Sequence, residues 1–558
     1  MKRQIFLKAS LLLVAGMLVA CSSNDNENNG TKDGKVDIAK AVEFRVDFAD
    51  YNADEETKAT RATDDQKNDT IAKQYVDLGN NLLAEVTVQR DTAKTQPLAN
   101  TRALENGTYT MLAYQGSTYK GEVTGTITGG VFHYSSDKAI DLEPGTYDFV
   151  LLNDKLTRNG NNFTVAEADA QTALIGRTTY TVTATPTHQK VTFQMKHVSS
   201  RIRLKWTSYT SIVNPVGDFW ANGIIPHTSV YHPETNTWTV ATTGSGPYGP
   251  MTYTGGNTAD ENGIYSTISN YLYFLAPAEK GDMHFNLGDT QSKTYNGQII
   301  NFILSFINLP NASSIDLKPN SSYLITYKLM YNFLYLMSDG STGFLNETIY
   351  GSGSKTPIAI VLSQSKHMAI ALKDANGGNL AEWGPYFVQN NTHMVTNLAD
   401  ALNSSATSGY DETWDASYST HAVTGEKIKG KNPDFPAFYA AAHYDPGIAY
   451  TGTPALQWYL PSASDWTWVY SVLGFSDKTI ITGMGYFPCH GRLIDIAFTQ
   501  VGGEFLKDFG GALMTPNYWS STEYNTYRAF KSGGGIDYMN WLEETEDMHL
   551  SVRAFVKY

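Results

Sequence analysis

The chain has 558 residues, a formal net charge of −14 and only 2 cysteines, and 41% of its residues are hydrophobic. The acidic balance argues against nucleic-acid binding, which requires clustered lysine and arginine, and two cysteines exclude a disulfide framework. Folding must therefore depend on apolar cores, and the length predicts roughly three or four domains.

The first residues have the zones of a secretory signal peptide. Lys2 and Arg3 precede an apolar run over residues 5–20, which is shorter than the ~20 residues of a comfortable membrane span. Small residues and Cys21 end the run, and this spacing resembles a bacterial lipobox. The resemblance implies a signal peptide over residues 1–20 and acylation of Cys21, for example with palmitate, which holds the precursor to the cell outer membrane. The alternative is an ordinary signal peptide with an incidental cysteine.

A polar segment and an isolated strand follow the cysteine. Residues 22–33 contain no apolar residue, and this composition predicts a flexible tether. Asp25 and Glu27 resemble the export signal that carries some Bacteroidetes lipoproteins to the outer face. Residues 42–48 (VEFRVDF) alternate apolar and polar side chains and predict a half-buried strand.

Strand patterns continue to about residue 335, with turns rich in Gly, Asn and Pro between them. The predicted strands include residues 83–88, 108–114, 142–152, 189–195, 200–206, 271–275 and 317–327. Such regular spacing is typical of antiparallel β-sandwiches. We expect a first sandwich over residues 62–197 and a second over residues 198–345. Gly-Ser segments at 340–343 and 351–354 predict a linker after them.

The pattern changes to α+β from about residue 355. Residues 435–443 predict a short helix, and Ser462 with Asp465 forms a capping-box-like start for a second helix. The strands predicted after it are residues 518–521, 527–530 and 550–556, and residues 533–549 read as a long loop.

Residues in the first half resemble the Bacteroidetes fimbrillin superfamily. Residues 57–63 (TKATRAT) place an arginine in a polar loop after the first strand, and residues 191–204 (VTFQMKHVSSRIRL) join the two predicted sandwiches. The resemblance implies that a trypsin-like protease cuts between Arg61 and Ala62 and removes residues 21–61 with the first strand. A strand from a neighbouring stalk subunit then fills the vacated groove, since unpaired backbone groups and an apolar cleft favour strand addition. The alternative is that Arg61 lies in an ordinary exposed loop and is never cut.

The last part of the chain, residues 355–558, resembles the C-type-lectin-like domain of many Bacteroidetes surface proteins. The resemblance rests on residues 458–466 (WYLPSASDW), 518–523 (YWSSTE) and 552–555 (VRAF). The phrases with which C-type lectins bind calcium, Glu-Pro-Asn or Gln-Pro-Asp with Trp-Asn-Asp, are absent. We therefore expect no metal and no cofactor.

Four residues are candidates for contacting a glycan or a protein on a host or bacterial surface. Glu523, Asp537 and Asn540 supply oxygen atoms, although calcium requires several of them to converge. Trp541 supplies an aromatic ring in the predicted loop. The alternatives are solvated loop residues and a tryptophan that fills the core.

The predicted last strand, residues 550–556, suggests where such a subunit lies in a filament. If this strand belongs to the lectin-like core, the chain can accept a neighbour's strand and has none to donate. We therefore expect a fimbrium tip component that mediates cell adhesion and biofilm formation, and we expect deletion of residues 355–558 to abolish adhesion but not stalk assembly. The alternative is a monomeric glycan-binding surface lipoprotein.

No catalytic motif favours an enzyme. The sequence has no Gly-x-Ser-x-Gly phrase between a strand and a helix, no His-Glu-x-x-His and no Cys-x-x-Cys pair. Cys489 and His490 are adjacent, but neighbours in a strand point to opposite faces. We interpret Cys489 as a buried apolar residue.

Overall fold

The computed structural model of the chain describes residues 31–32, 34–53, 70–93, 107–135, 140–185, 188–278, 283–295, 297–305, 309, 317–403, 407–506 and 517–558. Strands predominate within these ranges, which confirms the expected mainly β class. The chain divides into two compact units. None of the helices in the described ranges has the length and apolar character that a membrane span needs.

The first unit comprises Met1–Tyr51, Lys94–Val198 and Ser229–Thr239. Its centre is a closed barrel rather than the expected antiparallel β-sandwich. Around the barrel the strands are, in order, Gly145–Asn153, Leu174–Val182, Gln189–His197, Val42–Phe48, Val131–Tyr134, Thr118–Thr128 and Thr108–Gln115. The strand Val42–Phe48 closes the barrel because it lies between a parallel neighbour and an antiparallel one.

Short elements complete the first unit. A small sheet contains Thr31–Lys32, Lys35–Asp37 and Asp141–Leu142. The helix Ile38–Ala41 begins at Asp37, whose carboxylate accepts a hydrogen bond from the Ala39 N–H at 3.0 Å. The unit also contains the strands Thr157–Asn159 and Asn162–Ala166 and the 3₁₀ turn Glu167–Asp169.

The second unit comprises Asn52–Ala93, Ser199–Thr228 and Val240–Tyr558. Its first sheet has seven strands: Tyr253–Ala259, Tyr265–Ser269, Ser199–Ser208, Ser322–Tyr331, Leu82–Arg90 and Thr70–Gly79, with Leu272–Leu275 beside Ser199–Ser208. The strands Met283–Thr294, Gln298–Ser305, Gly217–His232 and Thr237–Met251 belong to another sheet, and the last two contribute Ser229–Thr239 to the first unit. Residues of both sheets share one core within the second unit, which makes this part a sandwich.

The segment that ends at Ala93 belongs to the second unit. The expectation that residues 62–197 form one domain is therefore wrong for this segment. Leu82–Arg90 pairs antiparallel with Ser322–Tyr331 along its whole length. Its apolar side chains Leu82, Val86 and Val88 belong to the core of the second unit. Local alternation identifies a strand, but it does not identify the strand's partner.

Two sheets make up the C-terminal part of the second unit. The larger has, in order, Thr342–Phe344, Leu334–Met337, Pro357–Ser363, Met368–Ala371, Phe555–Lys557 and Gln457–Tyr459; the smaller has Gly485–Pro488, Tyr538–Thr545, Arg528–Gly534 and Asn517–Asn525. The segment expected as a linker at residues 340–354 is therefore partly a strand, because Thr342–Phe344 pairs with Leu334–Met337.

The helices of the described ranges lie mainly in this C-terminal part. The α-helices are Leu398–Ala401, Gly409–Trp414, Pro436–Ala442, Ala463–Trp468 and Gly491–Thr499; a π-helical turn follows at Val469–Leu473, and the 3₁₀ turns are Leu345–Glu347, Asn376–Gly378, Ala416–Tyr418, Lys429–Lys431 and Lys478–Ile480. Ser462 caps Ala463–Trp468, and a capping box with Asp465 forms as expected.

The C-terminal part is continuous with the sandwich of the second unit. Leu83 and Met330 share a core with Trp466 and Phe498. The Tyr335 hydroxyl donates a hydrogen bond to the carbonyl of Ala497 at 2.8 Å. Residues 355–558 therefore share one core with the sandwich and, together with Leu336, form a second core of their own.

Candidate functional site

The strand Val42–Phe48 presents an apolar face to the barrel interior. Val42, Phe44 and Val46 are buried, and the residues between them are exposed. The Phe44 ring lies 5.1 Å from that of Phe149 and 5.8 Å from that of Phe193, measured between ring centroids. Any strand that occupies this position must therefore carry apolar residues at alternate positions.

The two edges of this strand are held very differently. On one side it pairs in parallel with Gln189–His197 over seven residue pairs, from Gln189↔Val42 to Met195↔Phe48. On the other side the register contains the single pair Arg45↔Val131, with a hydrogen bond from the Val46 N–H to the Gly130 carbonyl at 2.8 Å. Removal of the strand would leave a groove with one continuous edge of backbone groups.

Asn52 anchors the chain soon after this strand. Its Nδ2 donates to the carbonyls of Asp91 at 3.1 Å and Ser322 at 2.9 Å, and its Oδ1 accepts from the Ser322 N–H at 2.9 Å. Its own N–H donates to the Asn320 carbonyl at 2.9 Å. Asn52 lies before Arg61, so a strand cut at Arg61 would still be held by these bonds.

Cys21, Arg61 and Ala62 lie outside the described residues. Lipidation of Cys21 and cleavage between Arg61 and Ala62 therefore stay predictions.

The structure places Trp541 in the core, and the expectation of a long loop at residues 533–549 is wrong. Tyr538–Thr545 is a strand between Arg528–Gly534 and Gly485–Pro488. The Trp541 side chain is 0% exposed, and its indole N–H donates to the carbonyl of Ala463 at 3.1 Å. A ring buried in this way offers no face to a ligand.

The three predicted oxygen donors do not meet at a common point on the surface. Asn540 and Glu523 are buried, whereas Asp537 is exposed. The Asp537 carbonyl accepts a hydrogen bond from the N–H of Cys489 at 2.9 Å. Among the described residues, no group of three or more His, Cys, Asp or Glu side chains is arranged to hold a metal ion.

Glu523 instead holds the backbone of a loop. Its carboxylate accepts hydrogen bonds from the Asn390 N–H at 2.8 Å and the Asn391 N–H at 2.5 Å. Its side chain is 0% exposed. These two hydrogen bonds fix the end of the segment 385–391, which we call the aromatic loop.

The Asn390 side chain forms hydrogen bonds with the backbone of its own loop. Its Nδ2 donates to the Pro385 carbonyl at 2.9 Å and the Val388 carbonyl at 3.1 Å, and it lies 3.4 Å from the Glu546 Oε2. The Glu546 N–H donates to the carbonyl of Tyr527 at 3.1 Å. Glu546 therefore joins the aromatic loop to the turn that carries Tyr527.

Three aromatic rings belong to the aromatic loop and to the turn joined to it by Glu546, and we call them the aromatic platform. Phe387 is 70% exposed and Tyr527 is 38% exposed. The Phe387 ring centroid lies 4.1 Å from that of Tyr386 and 6.2 Å from that of Tyr527. Phe387 also has a φ of +65°, which is costly for a bulky side chain.

The aromatic platform was missed because its parts are far apart in sequence. Gly384 and Pro385 directly before Tyr386 and Phe387 are a turn signal with two aromatic residues. That signal marks an exposed loop, but nothing local indicates that Tyr527 lies beside it.

The groups under the platform include several buried acids. Desolvation raises the pKa of Glu523 to about 7, against the opposing effect of the Asn390 and Asn391 N–H bonds. Desolvation and the nearby Glu523 and Asp547 raise the pKa of Glu546 to about 9. Neutral carboxylic acids are thus part of the native packing under the aromatic loop at mildly acidic pH.

A buried lysine accompanies these acids. Burial raises the pKa of Glu412, whose carboxylate accepts a hydrogen bond from the Ser521 hydroxyl, and burial lowers the pKa of Lys429. The Lys429 Nζ donates to the Tyr418 carbonyl at 3.3 Å. The carboxylates of Glu412 and Glu523 oppose the effect of burial on Lys429.

Cys489 is buried, as its interpretation as an apolar residue implies. It follows the strand Gly485–Pro488, and His490 is the residue at which the helix Gly491–Thr499 begins. Desolvation raises the pKa of the Cys489 thiol to about 12, which disfavours the reactive thiolate.

Comparison with known proteins yields no family assignment. No protein-family model and no curated protein matches the chain. Solved structures that match include a candidate cell adhesion protein from Bacteroides uniformis (14% identity, 48% of this chain and 99% of that chain, TM-score 0.28).

Two further matches are fimbrial proteins. A fimbrial protein from Bacteroides ovatus has 11% identity over 81% of this chain and 94% of its own, with a TM-score of 0.21. The fimbrial anchor protein Mfa2 from Porphyromonas gingivalis has 11% identity over 54% of this chain and 95% of its own, with a TM-score of 0.23. These scores do not establish the family of the chain.

Proposed function

We propose that the chain is a non-enzymatic component of the fimbrium tip that mediates cell adhesion and biofilm formation. In this proposal the precursor is a lipoprotein of the cell outer membrane, acylated on Cys21. Cleavage after Arg61 releases the first strand, and a strand from a fimbrial stalk subunit takes its place on the cell surface.

The observation that carries the proposal is the setting of Val42–Phe48. Its apolar side chains fill the barrel core, while one of its edges is held by a single residue pair. Such a strand leaves a groove of defined register and apolar pattern, which suits β-strand addition from a second chain.

The position of Phe555–Lys557 supports the tip location. This strand lies between Met368–Ala371 and Gln457–Tyr459 and pairs with both. Its two edges are occupied within its own sheet, so it is not free to enter the groove of a neighbour.

The anchoring of Asn52 favours the alternative, a monomeric glycan-binding lipoprotein that retains its first strand. The four hydrogen bonds made by Asn52 to Asp91, Asn320 and Ser322 oppose release of the segment before Arg61. Processing at Arg61 therefore distinguishes the two functions.

The test is incorporation of the chain into fimbriae on cells that express the Arg61→Ala precursor. We expect this variant to remain on the membrane and to be absent from sheared fimbriae, while an Arg102→Ala control is incorporated normally. Normal incorporation of Arg61→Ala would refute processing at this site and would favour the monomeric lipoprotein.

A further inference from the structure

We propose that the aromatic platform of Tyr386, Phe387 and Tyr527 binds the ring face of a neutral pyranose in a surface glycan. The inference rests on the proposed adhesive function and names the ligand class for it. None of these three residues was among the ligand candidates drawn from the sequence.

Phe387 combines two unfavourable features at one position. Its ring is 70% exposed, so it forgoes most of the gain from apolar burial. Its backbone has a φ of +65°, a conformation that bulky residues rarely adopt. A strained residue with an exposed ring indicates that the side chain serves something other than folding.

The loop that carries Tyr386 and Phe387 is held in place by hydrogen bonds with buried side chains. The Glu523 carboxylate bonds to the Asn390 and Asn391 N–H groups, and Asn390 bonds to the Pro385 and Val388 carbonyls. A preorganised loop loses less conformational entropy when it binds.

Ring geometry favours a flat, non-ionic ligand with polarised C–H bonds. The faces of aromatic rings carry partial negative charge, and the axial C–H groups of a pyranose carry partial positive charge. Phe387 lies between Tyr386 at 4.1 Å and Tyr527 at 6.2 Å, measured between ring centroids. The Tyr386 and Tyr527 rings are inclined to the Phe387 ring by 52° and 44°, so the exposed face of Phe387 is the part on which one pyranose ring can stack.

The small exposed area of the platform argues against a protein partner, and the negative net charge of the chain argues against acidic sugars. A stable protein interface buries about 800 Å² on each partner, and the partly buried Tyr386 with the exposed Phe387 and Tyr527 supplies far less area. Acidic sugars are disfavoured by the net charge of −14. Arg528, whose guanidinium lies 5.9 Å from the Tyr527 ring, is already paired with Glu543 at 2.7 Å.

The experiment measures retention of the purified full chain on immobilised neutral pyranosides: galactosides, glucosides, mannosides and N-acetylglucosaminides. Sialylated glycans and a protein-coated surface serve as separate arms. We expect retention on at least one neutral pyranoside and a loss of about tenfold for Phe387→Gly, since an aromatic contact of this kind contributes on that order.

Glycine is the informative substitution because it accepts the positive φ at position 387 and so relieves strain. Reduced binding by Phe387→Gly therefore cannot be ascribed to misfolding, and Phe387→Trp should restore retention. Phe505→Ala removes another exposed ring and should bind as the unchanged chain does.

Three results would overturn the inference: no retention on any neutral pyranoside, equal retention by Phe387→Gly, or retention on sialylated glycans or protein alone. The purified chain needs no filament for this measurement. Failure of strand processing would therefore leave the glycan result unaffected, and absence of glycan binding would leave strand processing unaffected.

Discussion

At the scale of single residues, Asn52 links the first strand to the rest of the chain. It adopts a φ of +62° and is buried, and its side-chain amide contacts two backbone segments, at Asp91 and at Ser322. Because Asn52 precedes Arg61, its hydrogen bonds set how readily a cleaved strand leaves.

We expect Asn52→Gly to accelerate release of the first strand after cleavage. Glycine keeps the backbone conformation but removes three side-chain hydrogen bonds, at a cost of about 2–3 kcal/mol. The measurement is the urea concentration at which the cleaved N-terminal peptide dissociates. Asn80→Gly is the control, since Asn80 is exposed and also has a positive φ; equal midpoints for the two variants would show that Asn52 is not an anchor.

The buried acids Glu523 and Glu546 determine in which direction the stability of the fold changes with pH. Both have a pKa above the ordinary value of 4.5, at about 7 and about 9, because burial disfavours their charged forms. Between pH 5 and 7 the folded chain binds more protons than the unfolded chain, so stability falls as pH rises.

Each such group changes the free energy of unfolding by up to about 1.4 kcal/mol per pH unit. Glu546→Gln, which imitates the protonated acid, should reduce this change, as measured by urea unfolding at pH 5, 6 and 7. Glu543→Gln is the control because Glu543 is partly exposed and paired with Arg528. A stability that rises from pH 5 to pH 7 would contradict the assignment of neutral buried acids.

At the scale of elements, the first strand Val42–Phe48 completes the core of the barrel. Its side chains Val42, Phe44 and Val46 supply apolar contacts to the core of the barrel. A peptide of the same pattern should therefore bind to a chain that lacks it.

We expect a peptide of residues 42–48 to stabilise a chain that begins at Ala62. At a hundredfold excess over Kd, the linkage relation and the usual size dependence give a rise in melting temperature of about 5 °C. A peptide with Phe44→Asp should have no effect, because a carboxylate cannot occupy the position between Phe149 and Phe193. Equal effects of both peptides would show that binding to the groove does not depend on the alternation of apolar and polar side chains.

Elements with one buried face could be predicted from the sequence, and residues 518–521 also predict part of the strand Asn517–Asn525, which is buried on both faces. The alternation in residues 42–48 and 83–88 corresponds to Val42–Phe48 and Leu82–Arg90. The sequence does not predict the strand Tyr538–Thr545, because Asn540, which is buried in the strand, interrupts the apolar pattern. The aromatic platform could not be predicted because Tyr527 comes from a separate hairpin turn.

The C-terminal strand shows a related limit. Residues 550–556 were predicted as one strand, but the strand is Phe555–Lys557. Arg553 is fully buried, and its guanidinium pairs with the carboxylate of Asp374 at 2.7 Å. The pairing of this charge with a residue far away in sequence cannot be inferred from the local alternation of apolar and polar residues.

At the scale of the whole molecule, the sandwich and the C-terminal part of the second unit share a core. Leu83 and Met330 lie in the same cluster as Ala463, Trp466 and Phe498. Deletion of residues 355–558 would therefore remove most of that cluster and would not test adhesion alone.

We expect the chain that ends at residue 354 to lose cooperative folding of the sandwich and to aggregate, because large apolar side chains become exposed. Size-exclusion chromatography detects the aggregation, and hydrogen exchange of Leu82–Arg90 measures the loss of folding. Full-length Phe387→Gly should remain monomeric under the same conditions. A monomeric fragment with unchanged protection of Leu82–Arg90 would show that the two parts are energetically independent.

The first strand and its groove are central to the proposed assembly, and the N-terminal residue of the assembled subunit tests that proposal most directly. Fimbriae sheared from cells expressing the unchanged precursor are digested, and the N-terminal peptide of this subunit is identified by mass spectrometry. We expect an N-terminus at Ala62. An acylated N-terminus at Cys21 in assembled fimbriae would contradict it.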